Sequence, residues 1–233
     1  MEKVICLLWT EQGMDREQFK ADLLERLPVA LKGAGALHLR LNLEDAVSAR
    51  GAALRQSRGE RQHDALVQFW LPSANALFRA GIDAALGAPA ARWCGWVVAE
   101  STIIANTAHP AVPGERTPGW SQTAFLTVPQ RQSHAQWLSL WQDRHTRVAI
   151  ETQANFEYVQ NLVVRAITPD APPYAAIVEE CFPESALTDP FAFFDAVGDP
   201  AKFKANLDRM MESCDAFIDR GTIDVIPTGQ YTF

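Results

Sequence analysis

The chain has 233 residues, 48% hydrophobic and 21% charged, an ordinary globular composition that suits one large domain or two of about 115 residues. Its net charge of −7 lies in the second part: the first 120 residues hold 13 basic and 13 acidic side chains, the remainder 8 and 15. That balance excludes nucleic acid as a partner, since such binding needs clustered Lys and Arg, and no apolar run approaches the roughly 18 residues of a membrane-spanning helix.

Met1-Glu2-Lys3 leads directly into Val-Ile-Cys-Leu-Leu-Trp with no cleavage-site pattern, so no signal peptide is expected. Cys6, Cys94, Cys181 and Cys214 are scattered and form no metal-ligand pair. They read as reduced packing residues of a cytoplasmic protein.

In chain order, residues 4–9 form a short apolar run, expected as a strand. Asp15 and Gln18 have capping-box spacing before a helix carrying Phe19, Leu23, Leu27 and Leu31. Residues 37–43 alternate strictly, apolar at odd positions, which predicts a half-buried strand with His38 on its polar side. A polar connection of about twenty residues follows, long enough to suggest a flap or insertion. It contains Arg50, Arg55, Arg58 and Arg61, which read as solvated surface. Residues 65–71 are the third strand. Pro72-Ser73 opens a helix through Leu77, Phe78, Ile82 and Leu86, which Gly87 and Pro89 stop. Residues 93–104 form a long fourth strand.

Residues 106–119 hold three prolines, two glycines and no periodicity, which marks a linker. His109 lies there without neighbouring ligand candidates and has no assigned role. Strands are then expected at 123–128, 155–167, 174–182 and 222–232. Helices are expected at 133–150 and after Asp199-Pro200; Asp189-Pro190 carries the same N-terminal signal.

Each half therefore reads β-α-β-β-α-β, an α+β fold of two ferredoxin-like units, 1–105 and 120–233, joined by the linker. Each unit has one face covered by helices and one bare. Packing sheet to sheet buries both bare faces and closes a barrel with the helices outside.

The 133–150 helix is the chemically distinctive stretch. Ser133 and Gln136 form a capping box at its start, and Trp137, Trp141 and His145 then follow at i, i+4 and i+8 on one face. Leu would bury as well without leaving ring N–H groups to satisfy. A histidine ending an apolar stripe is, taken alone, more often packing than catalysis.

Residues 121–233 resemble the EthD family of dimeric α+β barrel proteins. The resemblance is carried by Trp137, Trp141, Asp143 and His145, by Tyr158-Val-Gln-Asn161, by the strand from Tyr174 to Phe182, and by Asp215-Ala-Phe217-Ile-Asp219. Residues 1–105 resemble it more faintly, through Gly13-Met-Asp-Arg-Glu-Gln-Phe19, with Leu23 and Leu27 at the Trp and His positions. The resemblance implies a tandem duplication with a degenerate first repeat. It also implies a superfamily of cofactor-free monooxygenases, lactone isomerases, decarboxylases or dehydratases of aromatic polyketides, and haem-binding relatives.

On that topology His145 is expected as a general base, with Tyr158 or Asn161 donating to a developing oxyanion. Alternation places Tyr158 and Gln160 on one strand face and Asn161 on the other unless a bulge intervenes. Trp137, Trp141, Gln160, Tyr174 and Phe182 are expected to line the substrate. The expected function is cofactor-independent proton transfer, of isomerase, lyase or monooxygenase type, on a hydrophobic cyclic or aromatic small molecule. The alternative is an accessory protein that binds an apolar ligand without catalysis. Haem binding through His145 ranks lowest. No cofactor, metal, nucleic acid or membrane partner is expected, and the chain is expected as a monomer or homodimer.

Overall fold

The computed structural model describes residues 1–59 and 61–233; Glu60, within the 50–61 connection, lies outside the described residues. Eight strands form one closed barrel: β1 (Glu2–Trp9), β2 (Leu37–Leu43), β3 (Ala65–Leu71), β4 (Arg92–Ile104), β5 (Trp120–Leu126), β6 (Glu157–Ala166), β7 (Ala176–Phe182) and β8 (Asp224–Thr232). Neighbours pair antiparallel in the order β1-β3-β2-β8-β5-β7-β6-β4. The order β4-β1-β3-β2 of the first four strands recurs in the last four as β8-β5-β7-β6. The expectation of two sheets packed face to face changes in one respect. The sheets join edge to edge, through β2–β8 and β4–β6, so closure leaves no bare strand edge.

Side-chain alternation divides the strands between two environments. On β2, Leu39, Leu41 and Leu43 turn outward to Phe19 and Leu23 of α1 (Arg16–Glu25) and Leu27 and Leu31 of α2 (Leu27–Gly33). Arg40 and Asn42 turn inward. The single helix expected here is two, divided at Arg26, because Pro28 supplies no backbone donor and enters only as a first-turn residue of α2. Asp15 caps α1 through the amides of Glu17 and Gln18.

Three expectations fail locally. Leu37 is exposed, because β2 shifts register between Leu37 and Arg40 and His38 adopts φ 51°. The helix expected from residue 72 is confined to α3 (Ala80–Gly87). The Asn75 side chain and carbonyl capture the amides of Leu77 and Phe78 in a turn, leaving those two 79% and 71% exposed. The 44–64 connection is not a free flap. Its 3₁₀ segment Ser48–Leu54 leads to a Gln56–Val225 bridge, and Arg50–Glu184 and Arg58–Asp224 ion pairs tie it to the second half. A Cβ at Gly51 would collide with Leu187, so the strap lies against its support. The linker is equally ordered: Gly114 and Thr117 donate to β8, and Arg116 pairs with Asp45.

The barrel interior has an apolar part and a polar part. Ile5, Leu7, Leu66, Trp96, Phe125 and Ile177 fill the first. In the second, Glu179 of β7 accepts hydrogen bonds from Arg40, Asn42, Gln68, Ser121 and Gln230 at 2.6–3.0 Å. Arg40 also pairs with Glu157, and Lys3 with Glu100. All four cysteines are free. Among the described residues no helix is long and apolar enough to cross a membrane.

Candidate functional site

The 133–150 helix forms as expected at its start, where Ser133 and Gln136 complete the capping box. It is continuous but not uniform: α4 (His134–Leu138) passes into a π-helical segment, Ser139–His145, and then α5 (Thr146–Thr152). Within it the Thr146 amide reaches back five residues to the Trp141 carbonyl, and the Thr146 hydroxyl donates to the same oxygen at 3.2 Å. Such wide turns are rare and concentrate at functional sites.

The π segment changes what each ring of the stripe faces. Trp137 and Trp141 stack at 5.1 Å and are 0% and 1% exposed. His145, half-buried, turns towards α7 (Pro200–Phe217), where its Nδ1 is 2.9 Å from Ser213 Oγ and its ring 4.6 Å from Phe217. Burial lowers its pKa to about 4, so the ring is neutral at pH 7. Outside this helix pair a groove of about 400 Å³ runs past Leu140, Arg144 and Val148, and Ser213 forms part of its wall.

Beneath the helices, β6 presents Tyr158 and Gln160. Gln160 Nε2 donates to the Tyr158 hydroxyl at 2.8 Å and to Thr146 Oγ1 at 2.7 Å, linking the sheet to the residue beside His145. Burial raises the Tyr158 phenol well above its ordinary value, which keeps it a hydrogen-bond donor.

Opposite Tyr158 on β7 stands Glu180. Its carboxylate accepts from Asn155 at 2.9 Å and Gln122 at 3.3 Å, and no cation bonds to it among the described residues. Burial therefore dominates and raises its pKa to about 7. Its neighbour Glu179, facing the barrel, shows the opposite result. Burial also acts to raise that carboxyl, but Arg40 and the amide donors outweigh it and hold it at about 2.

The expected residues fall into three places. Trp137, Trp141, Tyr158 and Gln160 gather between helices and sheet in the second half, while His145, on the same helix, faces Ser213 and Phe217 of α7. Phe182 lies on the same sheet face but in a separate cluster, stacked on Trp120 at 5.2 Å and Phe193 at 4.6 Å. Asn161 and Tyr174 are inside the barrel. Asn161 donates to the Ile177 carbonyl, Tyr174 donates to Asp224 at 3.0 Å, and the sheet separates both from His145. Two residues of the first place escaped the sequence reading. Ser213 carries no pattern, whereas Glu180 had a signal, a second acid beside Glu179 in an otherwise apolar strand. Alternation sends one of two adjacent acids to each face, and both are buried.

Residues 129–221 match the EthD domain family. No curated protein matches the chain. Among solved structures, an anthrone oxidase-like protein superposes with a TM-score of 0.57 at 13% identity, over 99% of this chain and 92% of its own. A dye-decolorizing peroxidase from Bacteroides thetaiotaomicron has a TM-score of 0.47 at 11% identity, over 97% of this chain and 92% of its own. A chlorite dismutase from Candidatus Nitrospira defluvii has 0.46 at 9%, over 97% and 90%. The likeness to the first of these is one of fold, an α+β barrel. The residues that match the EthD domain model, 129–221, all lie in the second half of this barrel.

Proposed function

We propose that the chain is a tandem pair of ferredoxin-like units, 1–105 and 120–233, whose second unit performs cofactor-independent proton transfer on a hydrophobic cyclic or aromatic small molecule. The observation that carries this reading is Glu180, a buried carboxyl with a pKa raised to about 7 and placed opposite Tyr158. A base is most effective when its pKa lies near the working pH, and strongly shifted carboxyls cluster at functional sites. In the proposed cycle Glu180 or the neutral His145 removes a proton alpha to a carbonyl. Tyr158 donates to the enolate oxygen as charge develops, and the held proton returns at a second carbon to complete an isomerisation. Ser213 positions the His145 ring through Nδ1, leaving Nε2 for the substrate. Trp137, Trp141 and Gln160 supply the apolar wall and the link between sheet and helix. Leu23 and Leu27, both buried where the first unit would need Trp and His, leave that unit without equivalent chemistry.

Exchange of the anthrone methylene protons for deuterium, followed by NMR, tests the reading with a probe suited to the neighbouring fold. The untreated protein should accelerate exchange, and Glu180→Gln or His145→Ala should lower the rate by about 100-fold or more with an unchanged melting temperature. No acceleration, or equal rates in all three proteins, overturns it and leaves the non-catalytic ligand carrier.

A further inference from the structure

We propose that the rim of the barrel on the first-half side is a second ligand site, separate from the EthD-domain site, built for a small cyclic hydroxy-carboxylate. A cavity of about 340 Å³ opens there between α1, β2, β8 and the strap, within the ~300–1,000 Å³ range of small-molecule sites.

His63 is the first argument. It is 9% exposed, and its ring is wedged edge-on between Phe125 at 5.2 Å and Trp9 at 6.2 Å. Its Nε2 is buried and has no hydrogen-bond partner among the described residues. Buried polar side-chain atoms are nearly always partnered, and this one belongs to a residue of the cavity lining, within a ring's width of where a ligand atom would complete it. Burial, reinforced by Arg55, lowers the ring's pKa to about 3, which makes it a neutral partner for a hydroxyl or carbonyl.

The second argument is charge. Of the described residues lining the cavity, Arg16, Lys20, Arg55 and Arg61 are basic and only Glu44 and Asp64 acidic. Arg16 and Arg61 both pair with Asp64, Arg55 with Glu44 and Lys20 with Glu17, so the lining keeps a small positive surplus in a chain of net charge −7. Arg55 is held in place by Gln62 at 2.9 Å and Glu44 at 2.5 Å. A carboxylate at the mouth would meet a guanidinium already oriented. Phe19 and Ile226 give the apolar wall for a ring between the two polar ends.

Titration with 4-hydroxybenzoate, by calorimetry and by the NMR signals of the His63 ring, tests the assignment, with benzoate and phenol as controls. The expected result is one 4-hydroxybenzoate per chain, bound at least tenfold more tightly than either control. Arg55→Gln and His63→Phe should each weaken it about tenfold, while His145→Ala leaves it unchanged. That last variant separates this site from the proposed catalytic one. If His63→Phe does not fold, Arg55→Gln and the ring signals decide the matter. No binding at millimolar concentration, equal binding of the three compounds, or affinity indifferent to Arg55 overturns the assignment.

Discussion

Arg40 and Glu179 meet at 3.0 Å inside the barrel, one from the first half of the chain and one from the second, 139 residues apart. Neither touches the helices. Together with Glu157, at 2.9 Å from Arg40, they form a buried ionic bond between the two halves of the chain. Four neutral side chains complete the shell of Glu179, so its charge is neither exposed nor left unpaired.

Removing one partner strands the other in a medium that solvates charge poorly. Arg40→Met should therefore cost about 3–5 kcal/mol in urea denaturation. The double variant Arg40→Met, Glu179→Gln should recover part of that loss, and a double variant less stable than the single one would contradict the pairing. Acid should act the same way. The Glu179 pKa falls from 4.5 to about 2 on folding, so its contribution is fully present above pH 4.5 and is lost as pH drops through about 2.

Glu180 has the opposite sign. Its pKa rises from 4.5 to about 7 on folding, so its contribution is present below pH 4.5 and is lost as pH rises through about 7. His145 and His63 fall from 6.5 to about 4 and about 3, so protonation of the unfolded chain withdraws their contribution as pH drops below 6.5. Glu180→Gln should remove the decline on the alkaline side and leave the acid side unchanged. Urea midpoints at pH 5 and pH 8 measure it: the variant should gain on wild type at pH 8 relative to pH 5, and an unchanged difference would refute the raised pKa.

Leu27, on the buried face of α2 in the first-half core, should behave as packing alone. Leu27→Ala should cost about 2–5 kcal/mol of stability and leave anthrone exchange per folded molecule unchanged. A loss of exchange without a loss of stability would place the first half in the chemistry.

Much of the scaffold was legible in the chain because its signals are local. The alternation at Leu39, Leu41 and Leu43 and the Ser133–Gln136 capping box each act over a few residues. Where a side chain redirected the backbone the pattern misled, as at Asn75, which ended a helix before it began, and at His38, where a bulge turned Leu37 outward. The candidate site was half legible. The spacing of Trp137, Trp141 and His145 announced a stripe, but not the π segment in which His145 faces Ser213 of α7. Two further matters depended on tertiary structure. Alternation assigns Glu179 and Glu180 to opposite faces, but only barrel closure put a guanidinium beside the first and none beside the second. The ionisation of a buried carboxyl depends on which distant side chains surround it, and neighbours in sequence carry no record of that.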